Sequence, residues 1–317
     1  MRVALLLVGA VNSLQEIFEE EKPLSPYHAL KSSGADVDVY LVAENSAFFK
    51  FQNEEEFENR QQKAQSTIWK FVGVDGSYAV YRAGKEDLLG MFARYFGEDL
   101  ASVDFLARED FYVEHERPAE ASYYKKMAVA LNILRARTVL ARRGYDGCVQ
   151  ARFDSKLVQS RQFPWVESGA EIRRVLAAIS ERPDRKRIFA FDKFRGMIPS
   201  ALMSERVWYL HPHSPIFFGE NAAEDLIGLA GLYERVSDTY NYRKYLNSIV
   251  HGRRIFICNS CSLAIDQNHF WSKLPEGSSA DDYGMDTELH SETFVPNFLQ
   301  QSGSELHRHH IWSYAVR

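Results

Sequence analysis

The first ten residues constrain this chain more than any other stretch. Val3 to Val8 is continuously apolar, and Gly9 follows at once. An uninterrupted apolar strand has both faces covered, the condition of a strand inside a parallel sheet. Gly9 permits a tight turn, and Asn12 or Ser13 is placed to cap a helix behind it. A second strand, Asp36 to Val42, is entered through Ser32, Ser33 and Gly34. Strand, crossover and strand within about 40 residues predict a βαβ unit and an α/β sheet.

The alternation continues downstream. Tyr123, Met127, Leu131, Leu134 and Thr138 recur at helical spacing across Glu120–Arg143, and Gly144 supplies the stop. Gly147 to Arg152 then reads as a short strand running into Phe153-Asp154. Helices are expected over Ala170–Ser180, Ala222–Val236 and Tyr242–Val250, with strands over Arg187–Phe191, Val207–Leu210 and Arg254–Cys258. Asn53–Gln65 is polar and acidic, a solvated helix or loop, and Gly277–Gly284 is loop. No repeat, low-complexity linker or charge block divides the sequence, so one domain over residues 1–317 is expected.

Composition narrows the classes of function. With 45% hydrophobic and 26% charged residues, disordered and collagen-like chains are excluded. Lys and Arg total 38 against 43 Asp and Glu, a net charge of −5. There is no global basic field to hold nucleic acid or an anionic membrane, so an anionic ligand must be met by a local cluster or a metal. Three cysteines are too few for a disulfide framework. The apolar run Val3–Val11 falls short of the roughly 20 residues of a transmembrane segment. Acidic Asn12–Glu21 follows it where a signal peptide would place a small-residue cleavage site. A cytoplasmic protein is the expectation.

Ligands of open α/β sheets sit outside the carboxyl ends of the strands, which singles out Asp154. Around it lies a fuller pattern. Ser122-Tyr123-Tyr124-Lys125-Lys126 opens the long helix, which leads into Tyr145-Asp146-Gly147-Cys148-Val149-Gln150-Ala151-Arg152-Phe153-Asp154. This resembles a glycosyltransferase-like family with the GT-A fold, from bacterial and viral surface-polysaccharide loci. In that family Arg-x-Asp takes the place of the Asp-x-Asp metal motif. Val3–Gly9 and Asp38-Val39-Tyr40 resemble its first two strands, and Pro215–Gly219 a middle segment near the acceptor. Ser291-Glu292-Thr293-Phe294 resembles a late helix start, with Ser291 where proline is usual. The likeness is scattered over most of the chain and tight only at 122–157.

The resemblance implies a GT-A-like (Rossmann-like) mixed, mostly parallel sheet flanked by helices, with a donor half of about 1–160 and an acceptor half of about 161–317. It implies metal-assisted transfer of a sugar from a nucleotide-diphosphate sugar to a glycan. Val8, Gly9 and Ala10 would border the nucleotide. Asp154 would hold Mn²⁺ or Mg²⁺, cations that take oxygen ligands, keep several waters and neutralise a leaving diphosphate. Lys125, Lys126, Arg195 and the run Arg185-Lys186-Arg187 are basic candidates for the diphosphate; the run also reads as a solvated turn. Arg152 either bends round to the diphosphate or forms an ion pair with Asp146 or a helix C-terminus. An inverting enzyme needs a base, for which Glu292, then Asp286 and Glu288, are candidates. Their plain alternative is an acidic loop and helix start. A non-catalytic nucleotide-sugar or carbohydrate-binding protein of the same fold is the second reading.

Three further signals compete. Cys258-Asn259-Ser260-Cys261 has redox or half-zinc spacing, but two buried small residues explain it as well. His307, His309 and His310 could ligate a metal or phosphate, with plain surface exposure expected instead. Trp165, Trp208, Trp271 and Trp312 suit either sugar stacking or core. No P-loop, Rossmann glycine fingerprint, H-E-x-x-H or G-x-S-x-G motif is present.

Overall fold

The computed structural model describes residues 1–11, 25–65, 67–75, 78–106, 144–159, 167–191, 214–226, 255–258, 263–266, 285–286, 299 and 302–315. The helix expected at 120–143, the strand at 207–210, the helix at 242–250 and the loop at 277–284 lie outside them.

The apolar N-terminus forms β1 (Arg2–Ala10). A short helix α1 (Pro26–Ser32) follows, capped by Ser25, whose Oγ accepts from the His28 N–H at 3.1 Å. Gly34, at φ +85°, turns the chain into β2 (Asp36–Glu44). Next come β3 (Ser46–Lys50), α2 (Glu54–Gln65), β4 (Lys70–Asp75) and β5 (Tyr78–Arg82). Helix α3 (Lys85–Phe96) leads to β6 (Leu100–Leu106). After the long undescribed stretch come β7 (Gly147–Arg152), β8 (Ser155–Gln159), α4 (Ser168–Ser180) and β9 (Arg187–Ala190). The last elements are β10 (Ile216–Phe218), β11 (Ile255–Cys258), β12 (Leu263–Asp266), β13 (Met285–Asp286), β14 (Glu305–Arg308) and β15 (Ile311–Ala315).

Seven strands join in the order β14-β9-β10-β7-β1-β2-β6. Every pair is parallel except those of β10, which runs against both β7 and β9. The expected α/β class, a mixed and mostly parallel sheet flanked by helices, is therefore the observed one. Ile216–Phe218, within the segment Pro215–Gly219, supplies that reversed strand. Of the helix expected at 222–236, the described part is a 3-10 turn Glu220–Ala222 and helical residues 223–226.

Side-chain alternation separates the two faces of the sheet. One face carries Val3, Leu5 and Leu7 of β1, Val37, Val39 and Leu41 of β2, and Val149 and Ala151 of β7. Helices α3 and α4 cover it through Leu88, Met91, Phe92 and Phe96 and through Ile172, Val175, Leu176 and Ile179. These residues recur at three- and four-residue spacing, so each helix offers one apolar stripe. The opposite face is apolar in β1 (Ala4, Leu6, Val8) but becomes polar in its neighbours. By register it holds Asp38, Tyr40 and Glu44 of β2, Ser102 and Asp104 of β6, and Gln150 and Arg152 of β7.

The amino-terminal ends of β1, β2 and β7 are tied by side chains. Arg2 Nη2 donates to Asp38 Oδ2 at 2.6 Å, and so does the Tyr145 hydroxyl, also at 2.6 Å. The Tyr40 and Tyr145 hydroxyls bond to each other, and the Arg2 guanidinium lies 5.2 Å from the Tyr145 ring centroid. Asp146 accepts the Arg2 backbone N–H at 2.7 Å. Burial first, then the hydrogen bonds to Asp38 and Tyr40, raise the Tyr145 pKa well above the usual phenol range. Tyr145 and Asp146, the opening of the family-like motif, are thus structural in this chain.

The insertion between β2 and α3 builds a separate antiparallel sheet, β3-β5-β4, around Ala47, Ala79 and Tyr81. Strands β11, β12 and β13 form a third sheet, and β15 pairs with β8. Among the described residues, no helix is long and apolar enough to cross a membrane.

Candidate functional site at the carboxyl edge

The chain steps from β1 outward to β2 and β6, then returns to place β7 on the other side of β1. Strand order reverses there, and the crevice outside the carboxyl ends of β1 and β7 is the ligand position of an open α/β sheet. Val8 of β1 is in register with Arg152 of β7, and Ala10 with Glu44 of β2. Val8, Gly9, Ala10, Arg152 and Asp154 therefore share one edge.

Gly9 leaves β1 with φ +115°, and a Cβ built there meets nothing within 4 Å. The backbone thus has open space beside it. Gly9→Ala is expected to destabilise by backbone strain alone, about 1–3 kcal/mol, read from denaturant midpoints. A neutral result would remove the claim that this exit from β1 needs glycine.

Arg152 and Asp154 form a forked pair across the turn that ends β7. Arg152 Nε donates to Asp154 Oδ1 at 2.7 Å, and Nη2 to Oδ2 at 2.6 Å. The Arg152 side chain is 33% exposed and that of Asp154 only 11%. Phe153 between them points the other way, into the core, and stacks on Phe92 with ring centroids 5.9 Å apart. The partner of Arg152 is thus Asp154 itself, two residues on, instead of Asp146 or a helix end. Ser155, fully buried, and Lys156 follow directly, paired with Ala315 and Tyr314 of β15.

A divalent cation does not fit this described donor set. Each Asp154 oxygen already accepts from Arg152, so the carboxylate charge is neutralised and one lone pair on each oxygen is left over. Among the described residues, no group of three His, Cys, Asp or Glu is gathered to hold a metal.

The other expected site residues are dispersed. Lys125, Lys126, Arg195, Glu288 and Glu292 lie outside the described residues, as do Trp165, Trp208, Trp271 and Cys261. Asp286 lies in β13, opposite Ile257 of β11, in the third sheet. The run Arg185-Lys186-Arg187 sits at the amino end of β9, the edge away from Asp154. There Lys186 Nζ reaches Asp225 Oδ1 at 2.8 Å, Arg187 Nη1 donates to the Ala178 carbonyl at 2.6 Å, and Arg185 pairs with Glu305. Cys148 is core, its thiol pKa pushed up by burial and then by the charge of Glu220.

The histidine-rich end departs from surface exposure. His309 is buried, with Nε2 donating to the Pro215 carbonyl at 2.8 Å and Nδ1 accepting from the Ile311 N–H at 3.1 Å. Only a neutral imidazole with its proton on Nε2 satisfies both bonds. Beside it, Glu171 takes a fork from Arg174 at 2.7 Å and accepts the His310 N–H at 3.0 Å. Burial raises the Glu171 pKa, but the bonds from Arg174 more than offset this and hold it below the ordinary range.

One residue at the edge escaped the sequence reading. Glu44 is a buried carboxylate in the last position of β2, beside Ala10. Its signal is an acid closing the run Val39–Ala43.

No family model matches this chain, and no curated protein sequence matches it. A solved structure of the galactosyltransferase LgtC, in complex with donor and acceptor sugar analogs, is similar over 78% of this chain and 70% of that chain. Sequence identity is 9% and the TM-score 0.31. A likeness at that score carries no chemistry over to this chain.

Proposed function

We propose that the chain is a glycosyltransferase that takes a sugar from a nucleotide-diphosphate donor to a glycan acceptor. One observation carries the reading: the reversal of strand order at β1 and β7 brings Gly9 and the Arg152–Asp154 pair to the same carboxyl edge. The resemblance of Tyr145–Asp154 to the surface-polysaccharide family supports a nucleotide sugar over other ligands of this crevice.

In this reading the backbone of Val8–Ala10 borders the nucleotide, whose phosphates need a close approach that Gly9 leaves open. Glu44 is placed to accept from ribose hydroxyls, the role of an acid at the end of the second strand in dinucleotide folds. Arg152 faces the diphosphate, with Lys125 and Lys126 as further cationic partners. Glu292, Asp286 or Glu288 accepts the proton of the acceptor hydroxyl as the glycosidic bond breaks. The metal-assisted form, with Mn²⁺ or Mg²⁺ on Asp154, would set the cation beside the Arg152 guanidinium that already pairs with that carboxylate.

The test is release of free nucleoside diphosphate from a panel of nucleotide sugars by the full chain. Turnover is expected, and Asp154→Ala is expected to reduce it by about a hundredfold or more through misplacement of the diphosphate anchor. Thermal unfolding of the variant checks that it remains folded. Full turnover in a folded Asp154→Ala protein removes the site.

The second reading is a non-catalytic nucleotide-sugar or carbohydrate-binding protein of the same fold. It is favoured by the neutralisation of Asp154 by Arg152. Donor binding without turnover by any nucleotide sugar selects it, and absence of donor binding overturns both readings.

A further inference from the structure

The order of the Arg152–Asp154 pair relative to solvent decides what this edge recognises. Asp154 is nearly enclosed, whereas a third of the Arg152 side chain reaches solvent. A ligand arriving at the carboxyl edge therefore meets a guanidinium before it meets a carboxylate. The fork engages Nε and Nη2 and fixes the plane of the guanidinium. A planar arginine held in one orientation is a preorganised partner for phosphate oxygens.

We infer that Arg152 stands in the place of the divalent cation, anchoring the diphosphate directly, while Asp154 acts as the positioning residue that aims it. This rests on the nucleotide-sugar reading and adds to it that binding at this edge needs no divalent metal. Three observations meet in it. The pair lies where the strand order reverses, opposite Val8 and beside the open backbone of Gly9. Both Asp154 oxygens accept from Arg152 in a charge-assisted fork, so the carboxylate charge is already neutralised and a divalent cation would meet the guanidinium charge beside it. Phe153, buried on Phe92, holds the turn that brings residues 152 and 154 onto the same side.

The experiment is calorimetric titration of the full chain with UDP, GDP, CDP and ADP, in EDTA and again with Mn²⁺. At least one diphosphate is expected to bind with affinities within about threefold between the two arms. Arg152→Gln is expected to weaken that binding at least tenfold in both. Arg152→Lys, which keeps the charge and loses the fork, falls between. Asp154→Asn is expected to change affinity less than Arg152→Gln and to leave binding insensitive to EDTA, which the loss of a metal ligand would not do. Thermal unfolding confirms that each variant is folded. Binding that requires Mn²⁺, is lost in Asp154→Asn and survives Arg152→Gln overturns the inference and leaves the nucleotide-sugar reading intact. Binding of none of the four in either arm overturns both.

Discussion

Phe153→Ala is expected to destabilise the protein by about 3–5 kcal/mol, the range for an aromatic removed from a packed core. The ring is almost fully enclosed, with Phe92 of α3 stacked against it at 5.9 Å. The substitution also has a local consequence. Phe153 is the only residue between the two members of the Arg152–Asp154 fork, and its burial sets the turn that lets them meet. Nucleoside diphosphate binding should therefore weaken in the folded fraction of the variant, beyond the loss due to unfolding. Val72→Ala, at a residue 56% exposed on β4, is the matched control and should change stability by less than about 0.5 kcal/mol. Denaturant midpoints at constant m-value give both numbers. A loss below about 1 kcal/mol in Phe153→Ala would show that the core beneath the turn is not what holds it.

The second large effect is a dependence on acid carried by His309. Burial first, opposed in part by the hydrogen bond to the Pro215 carbonyl and the charge of Glu171, lowers its pKa from 6.5 to about 4. His310 and Arg174 lower it further. The unfolded chain thus binds a proton between about pH 6.5 and 4 that the folded chain refuses. Stability rises with pH wherever the unfolded state holds more protons. The contribution is fully present above 6.5 and is lost as pH falls towards 4, to a total of roughly 3 kcal/mol. In His309→Gln that component disappears, although carboxylate titration continues at lower pH. The measurement is unfolding free energy against pH for both proteins. A wild-type-minus-variant difference that stays flat from pH 7 to 4 refutes the neutral buried imidazole.

Much of the fold was legible because burial on both faces leaves an unbroken apolar signal. Val3–Val8 is a strand for that reason, Asp36–Val42 shows instead as alternation of Val37, Val39 and Leu41 with Asp36, Asp38 and Tyr40, and Gly147–Arg152 is the short strand expected. Helix α3 carries a stripe in Leu88, Met91, Phe92 and Phe96 at helical spacing. Strand β6 is harder, since it lies at the edge of the sheet and presents Ser102 and Asp104 on one face. The β3-β5-β4 sheet is short strands around a core of three fully enclosed residues, too little to leave a period. At the candidate site, Asp154 was visible from its position at a strand end. Its partner was not, because a guanidinium two residues away reaches it only once the turn is fixed.

The sequence by itself determined the α/β class, the interior strand β1 and the strand that presents Arg152 and Asp154. These follow from local period and from turn residues, which each segment carries alone. Only the tertiary structure decided that β7 returns to the far side of β1, that Ile216–Phe218 runs backwards beside it, and that His309 is sealed against Pro215. It also decided how the charge at the carboxyl edge is arranged. Strand order and ion pairing depend on which distant segments share a layer. A buried carboxylate takes the cation that the packing brings within reach, and here that cation is Arg152.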